Sequence, residues 1–256
     1  MPPDPVPVFP TTQTYVRYPP AMALANPPPG VVEFRRMAQA QGKPQPTLRH
    51  ELIVRRGAVS DMIWIVAHGW AVARSDREAG RSAILRLYLP GDIIGLTELG
   101  LGLQPHDVEM LTEGLLHAVP RSAIVALARQ HLRFWPLLLA MGNAELMLMQ
   151  NRVILLDRAT AEERLLHLLL DLRGRLAVEG VGDGNRFPLP LNQQEIGEAT
   201  GMTGIYVNRL LGRLVHDGRL EINRPYVRLL DRAWMESRMV FMDLDPSPDP
   251  FWAGRG

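Results

Sequence analysis

Between Gln193 and Gly212 the chain reads QQEIGEATGMTGIYVNRLLG, and this spacing leaves little choice but two short helices crossing at a steep angle. Such a crossing needs a small residue in the first helix, and Gly197 supplies it. The turn needs a residue that tolerates positive φ, which is Gly201. Ile196, Ala199, Val207 and Leu210 fall where apolar side chains lock both helices to a domain. Thr203 is suited to cap the second helix with its hydroxyl. What remains for solvent on that helix is Gly204, Ile205, Tyr206, Asn208, Arg209 and Arg213.

A helix-turn-helix of this kind presents the start of its second helix to the major groove of duplex DNA. There arginine pairs bidentately with guanine and asparagine with adenine, so Asn208 and Arg209 are assigned as base readers. Ile205 suits a thymine methyl. The Tyr206 hydroxyl, Arg213 and the helix N-terminus suit phosphates, which set register without carrying sequence information. The plainer alternative makes Arg209 and Arg213 a solvated helix face. Downstream, Arg219 to Ile222 and Tyr226 to Leu230 flank an Asn223-Arg224-Pro225 turn and read as a two-stranded wing, with Arg224 at its tip facing DNA. From Thr203 to Arg232 the chain carries Arg209, Arg213, Arg219, Arg224, Arg228 and Arg232 against Asp217, Glu221 and Asp231, an excess suited to a phosphate-facing surface. The formal net charge of the whole chain, +1, hides this local imbalance.

With 256 residues, 46% of them hydrophobic, the chain can bury two domain cores. It has no cysteine, which excludes disulfides, thiolate nucleophiles and cysteine-held iron-sulfur or zinc sites. No charged leader precedes an apolar stretch, and no run approaches the roughly 18 apolar residues of a membrane helix, so a cytoplasmic protein without membrane contact is expected. Lys43 is the only lysine. Residues 1–30 are dense in proline and read as an extended arm. No phosphate-binding glycine loop with lysine, no Gly-x-Ser-x-Gly elbow and no His-Glu-x-x-His occurs, and no enzyme is expected. The carboxylates Glu162 and Glu163 are explained by helix capping. No metal site is expected: His68 stands alone between Ala67 and Gly69.

From Leu48 to Val119 short alternating runs are separated by Gly and Pro, which predicts β structure closing into a roll. The clearest strands are Met62–Ala67, Ala71–Ser75, Ala83–Leu89 and Leu115–Val119, punctuated by Gly57, Gly69, Gly80 and Pro90-Gly91-Asp92. After Arg121 the period becomes helical, and a long helix is predicted from Pro136 to about Asp157. On it Trp135, Leu139, Gly142, Leu146, Met149, Val153 and Leu156 recur at alternating steps of four and three, an apolar seam that would be covered by a second copy of itself. Its flanks, Leu138, Met141, Leu148, Ile154 and Leu155, suit packing on the roll. The alternative is an intramolecular core helix with Gly142 as a packing notch. Thr160-Ala-Glu-Glu163 is a capping box opening a second helix through about Val178. Phe187-Pro-Leu-Pro-Leu191 is too short and proline-broken for a core strand and reads as the lead-in to the helix-turn-helix, with Asn192 as cap.

The order of parts, an α+β chain with a double-stranded β-roll (31–130), a dimerisation helix (131–158), a winged helix-turn-helix (159–232) and a tail (233–256), resembles the Crp/Fnr family of bacterial transcription regulators. The resemblance spans Leu48 to Arg232 and rests most on Gly91-Asp-Ile-Ile-Gly95, Gln194-Glu-Ile-Gly197 and Val207-Asn-Arg-Leu-Leu-Gly-Arg-Leu214. It implies a homodimer on an inverted-repeat promoter site, contact with RNA polymerase, and an effector in a cyclic-nucleotide-binding-like roll. Two departures matter. Many members carry glutamate where Ile205 stands, so a different half-site is expected. Cyclic-nucleotide-binding members hold the phosphate with an Arg-Ser pair after a Gly-Glu-Leu segment. Here Leu96 to Val108 offers His106-Asp107 instead, and Arg81 and Arg86 sit elsewhere in the pattern. A carboxylate there repels a cyclic phosphate, so neither cyclic AMP nor cyclic GMP is expected. Haem is not expected either, because none of His50, His68, His106, His117 and His131 stands in a diagnostic pair. The effector is left unassigned, and its candidate pocket is Gly91, Asp92, Gly95, Glu98, His106 and Asp107. The competing functional reading is a metabolite-binding roll whose helix-turn-helix serves protein interaction.

Overall fold

The computed structural model describes residues 29–75 and 82–238. All but the last two residues of the proline-rich arm, together with Gly80, Arg81 and the tail beyond Arg238, lie outside the described residues. The first described element is a helix that the sequence reading did not contain, α1 (Pro29–Ala40). It buries Val31, Phe34 and Ala38.

Eight antiparallel strands then form the roll as two sheets. One has the order β1 (Lys43–Thr47), β8 (Gly114–Pro120), β3 (Met62–His68), β6 (Ile93–Ile94). The other has the order β2 (Leu52–Val54), β7 (Asp107–Met110), β4 (Ala71–Arg74), β5 (Ile84–Tyr88). The four expected strands are present within a residue or two of their expected ends. The strands not foreseen are short or contain proline. β1 is KPQPT, and as an edge strand it can leave the alternate positions Pro44 and Pro46 without ladder donors. Between the sheets Trp64, Val66, Ala71, Tyr88, Met110 and Leu116 are buried as one cluster. On the far side of the first sheet Ile63, Ile65 and Val119 join Phe34 of α1, Ile124 of α2 (Arg121–Gln130) and Phe134. The Phe34 and Phe134 rings meet edge to face at 5.4 Å.

Helix α3 (Phe134–Arg158) follows, with Pro136 in its first turn, where a missing N–H costs nothing. Of its 25 residues only Phe134 is fully buried. After it comes α4 (Ala161–Val178), opened by the expected capping box. Thr160 Oγ1 accepts from Glu163 N–H at 3.3 Å, and the Glu163 carboxylate accepts from Thr160 N–H at 2.7 Å. Leu165, Leu166, Leu169, Leu172 and Leu176 of α4 anchor the C-terminal core, which runs without a break into Trp70, Val72, Ile84 and Leu87 on the outer face of the roll's second sheet. The two domains therefore share apolar surface.

The C-terminal domain continues through β9 (Arg186–Pro188), α5 (Gln193–Thr200), α6 (Gly204–His216), β10 (Leu220–Asn223), β11 (Tyr226–Leu229) and α7 (Arg232–Ser237). Two expectations are corrected here. The wing is three-stranded, in the order β10-β11-β9: Phe187 opposes Val227 and is buried, and Pro188 is tolerated because β9 is an edge. The domain also extends beyond Arg232, since α7 buries Met235 in the core and is capped by Asp231, whose carboxylate accepts from Trp234 N–H at 3.0 Å.

Candidate functional site

The helix-turn-helix forms from the residues that predicted it. Asn192 caps α5 in a second capping box, accepting from Glu195 N–H at 2.9 Å while the Glu195 carboxylate accepts from Asn192 N–H at 2.8 Å. Gly201 ends α5 in the left-handed region at φ 70°. The reason for glycine at position 197 is sharper than a general need for smallness. A Cβ there would lie 2.4 Å from the Met202 carbonyl oxygen, so the turn's own backbone occupies that space. Thr203 Oγ1 accepts from Tyr206 N–H at 3.3 Å and caps α6. Ile196, Val207, Leu210, Leu211 and Leu214 are buried, and Ala199 packs against the same cluster.

Burying that face of α6 turns the other outward. Ile205 is 81% exposed, and Tyr206, Asn208, Arg209 and Arg213 are also exposed. Asn208 and Arg224 share one groove between α6 and the wing, lined as well by Gln193 and Tyr226. Arg209 stands over the Tyr206 ring with 5.4 Å to its centroid. Gly204 has a role other than reading. A Cβ there would sit 3.3 Å from Gln194, so its missing side chain lets the two helices approach.

The arginine excess is less free than composition suggests. Arg213 pairs with Glu162 at 3.7 Å, Arg228 with Glu221 at 3.8 Å, Arg232 with Glu236 at 2.5 Å, and Arg219 with Asp231. Among the described residues only Arg209 and Arg224 of this group have no carboxylate within ion-pair distance. The pairs of Arg213 and Arg228 are exposed and hold their partners weakly, so they can yield to a phosphate.

The seam of α3 is open. Trp135, Leu139, Leu146, Met149, Val153 and Leu156 are 43 to 65% exposed, and among the described residues nothing lies within 4 Å of a Cβ built on Gly142. On the flank, Leu138 and Met141 pack on the cluster between α1 and the roll, as expected, while Leu148 and Leu155 face a cleft between α3, α4 and β5. A stripe of large exposed apolar side chains, broken at Gly142, on a 25-residue helix marks an interaction surface.

The expected effector pocket does not assemble. Its six residues go to three places. Gly91, at φ 88°, and Asp92 face α4: a Cβ on Gly91 would strike the Glu179 carboxylate, and the buried Asp92 carboxylate accepts from Leu89 N–H at 2.8 Å and binds Arg175. Asp107 lies in β7 and accepts from Arg56 N–H at 2.7 Å. Gly95, Glu98 and His106 border a space of about 10 Å³ beside Tyr88, no more than one water occupies. Between the two sheets Trp64, Val66, Tyr88, Met110 and Leu116 are buried against one another, and the roll's side toward α3 carries the Arg86–Glu145 ion pair, with Arg86 4.5 Å over the Tyr88 ring. Burial pushes the Tyr88 hydroxyl up to about 12. Among the described residues no group of three or more His, Asp or Glu could hold a metal ion.

Sequence reasoning missed the ionic links between the roll and the helix-turn-helix. Arg74 of β4 is buried, donates to Glu109 at 2.8 Å, and reaches both Glu195 and Glu198 of α5. Arg175 of α4 binds Asp92, Asp171 and the Leu87 carbonyl. Partners 83 to 124 residues apart leave no periodic trace. His167 of α4 lies at the same junction, and burial holds its imidazole below the ordinary value of 6.5, outweighing the opposite pull of Asp171. The unfolded chain therefore binds the proton more readily. Stability is retained above pH 6.5 and falls as pH drops through that value toward the lower folded one. Urea midpoints at pH 7.5 and 5.5 check this: the wild type should lose more than His167→Gln, and equal losses would refute it.

Residues 163–238 match the family of Crp-like helix-turn-helix domains, and residues 45–131 that of cyclic nucleotide-binding domains. Among curated relatives, the transcriptional activator protein FnrA of Stutzerimonas stutzeri is 26% identical over 187 residues, 73% of this chain and 76% of that protein. The anaerobic regulatory protein of Haemophilus influenzae is 24% identical over 187 residues, 73% and 72% of the two chains. The solved structure of FixK2 from Bradyrhizobium japonicum superposes with a TM-score of 0.70 at 24% identity, covering 77% of this chain and 97% of that one. With both domains matched in the observed order around a shared long helix, the chain belongs to the Crp/Fnr family.

Proposed function

We propose that this protein is a transcription regulator that binds an inverted-repeat promoter site as a homodimer in the cytoplasm, with Asn208 and Arg209 reading bases in each half-site. The observation that carries the reading is the exposed Ile205-Tyr206-Asn208-Arg209 surface on a helix whose other face is locked into the domain, with Arg209 and Arg224 free of carboxylate partners among the described residues. The curated relatives named above are regulators by name, which supports the same function here. The open seam of α3 supports the homodimer. Its symmetry sets the two reading helices on half-sites about one helical turn apart. RNA polymerase is the partner through which such a protein acts on transcription.

Random-site selection with the full-length protein tests this and should return a palindrome. Arg209→Ala should then cost about 1 to 3 kcal/mol at that site and relax the preference at one base pair per half-site. Uniform weakening on all sequences would remove Arg209 from base reading. Recovery of no preferred duplex would favour the protein-interaction reading of the helix-turn-helix.

A further inference from the structure

One cleft borders the roll, the long helix and the C-terminal domain together. It encloses about 150 Å³ where β5, the second half of α3, α4 and the end of α5 converge. Its walls are largely apolar, formed by Ile84, Leu85, Leu148, Leu155 and Leu168.

Its charges do not balance. Two guanidinium groups in it are compensated: Arg86 by Glu145, and Arg175 by Asp92 and Asp171. Two others are not. Arg152 donates to the Leu85 carbonyl at 2.7 Å and the Ala199 carbonyl at 3.1 Å, and has no carboxylate within ion-pair distance among the described residues. Among the described residues Arg164 reaches only the Leu156 carbonyl, at 3.4 Å, and its buried Nε has no partner. Four arginines against three carboxylates leave one positive charge in an apolar cleft. A partly buried charge without a counter-ion carries a desolvation cost, and carbonyl dipoles offset it only in part. Burial alone depresses Arg152, whereas the carboxylates around Arg175 raise it.

We propose that this cleft is the effector site, and that it takes a small monoanion of one chemical class, a carboxylate carried on an apolar body, with Arg152 and Arg164 holding the carboxylate. The assignment as an effector rests on the regulator reading; the binding itself does not. An arginine fork fits a carboxylate with two parallel hydrogen bonds, and the leucine walls take the apolar body. Arg152 already ties β5 of the roll to Ala199 of α5, so a ligand on it acts on the junction between roll and DNA-binding domain. Met149 and Leu156 belong both to the cleft rim and to the seam, so in the homodimer a partner helix closes the site from outside.

Calorimetric titration of the full-length protein, without DNA, tests the proposal with straight-chain carboxylates from butanoate to decanoate. Octan-1-ol serves as the uncharged probe and inorganic phosphate as the bare anion. At least one carboxylate should bind at least tenfold more tightly than both. Arg164→Gln should lower that affinity at least tenfold, and Leu168→Trp, which fills the cleft, should abolish it. Unchanged far-ultraviolet circular dichroism shows that these variants fold. Absence of binding across the series, octan-1-ol binding as tightly as the carboxylates, or full affinity retained in both variants would overturn it. Because no DNA is present, failure here leaves the random-site selection to decide the regulator reading separately.

Discussion

Leu146→Glu is expected to leave a folded monomer and to lower affinity for the palindromic site at least a hundredfold. Leu146 sits at the middle of the α3 seam and is 57% exposed, so within one chain its side chain supports little. In a symmetric dimer it would meet its own copy. Each substitution then removes the burial of one leucine, roughly 2 kcal/mol, and does so twice per dimer. It also places two like charges across the axis in an apolar stripe, where desolvation adds to the cost. The sum exceeds roughly 5 kcal/mol, enough to dissociate a dimer at micromolar concentration. A monomer engages one half-site only and loses the second set of contacts. Sedimentation velocity and gel shift on one preparation check both results, with Leu146→Met as the control that keeps the volume. A dimer persisting in Leu146→Glu would show that the seam is not the subunit interface.

The second large effect is expected at Gly197. Gly197→Ala should destabilise the C-terminal domain by about 3 kcal/mol, although alanine is the better helix former. The added carbon would stand 2.4 Å from the Met202 carbonyl oxygen, which is backbone and cannot rotate aside. Relief requires moving the turn, and the turn carries Thr203, the cap of α6. Displacing it shifts the reading face relative to the wing, so operator affinity should fall together with stability. Gly201→Ala is the useful comparison. It forces a side chain into the left-handed region at φ 70°, a penalty of about 1 to 2 kcal/mol, with Leu156 3.0 Å from the new carbon. Urea unfolding with hydrogen exchange on α5 and α6 measures both variants. A Gly197→Ala midpoint matching wild type would mean that the crossing is looser than the structure has it.

The legible parts of this molecule are those whose physics is local. The capping boxes at Thr160 and Asn192 join residues three apart, so four letters suffice to place the start of a helix. The seam on α3 and the alternation in β3, β4, β5 and β8 repeat within one element. Where a partner strand decides the outcome, the signal fades. Pro44, Pro46 and Pro188 argue against strands until the neighbours in the sheet show that β1 and β9 are edges. Helix α1 follows a run of prolines, and the face it buries is defined by the roll and α3 beneath it.

The candidate site divides in the same way. Asn208 and Arg209 could be named from the chain because α6 exposes whatever Val207, Leu210, Leu211 and Leu214 do not bury. The effector pocket could not, since a likeness in the Gly91-to-Asp107 segment says nothing about which way the side chains turn. Asp92 turns to Arg175 and Asp107 to the Arg56 amide.

The capped starts of α4 and α5, the turn of the helix-turn-helix, its exposed face and the apolar stripe on α3 are legible in the chain alone, because helical and strand periods write their pattern along it. Folding alone brings Arg74 of the roll against Glu195 and Glu198. It also leaves Arg152 and Arg164, among the described residues, without a counter-ion in a cleft between domains. Charge balance in an interior depends on groups brought together by folding from distant parts of the chain, and no local rule of composition or spacing records that meeting.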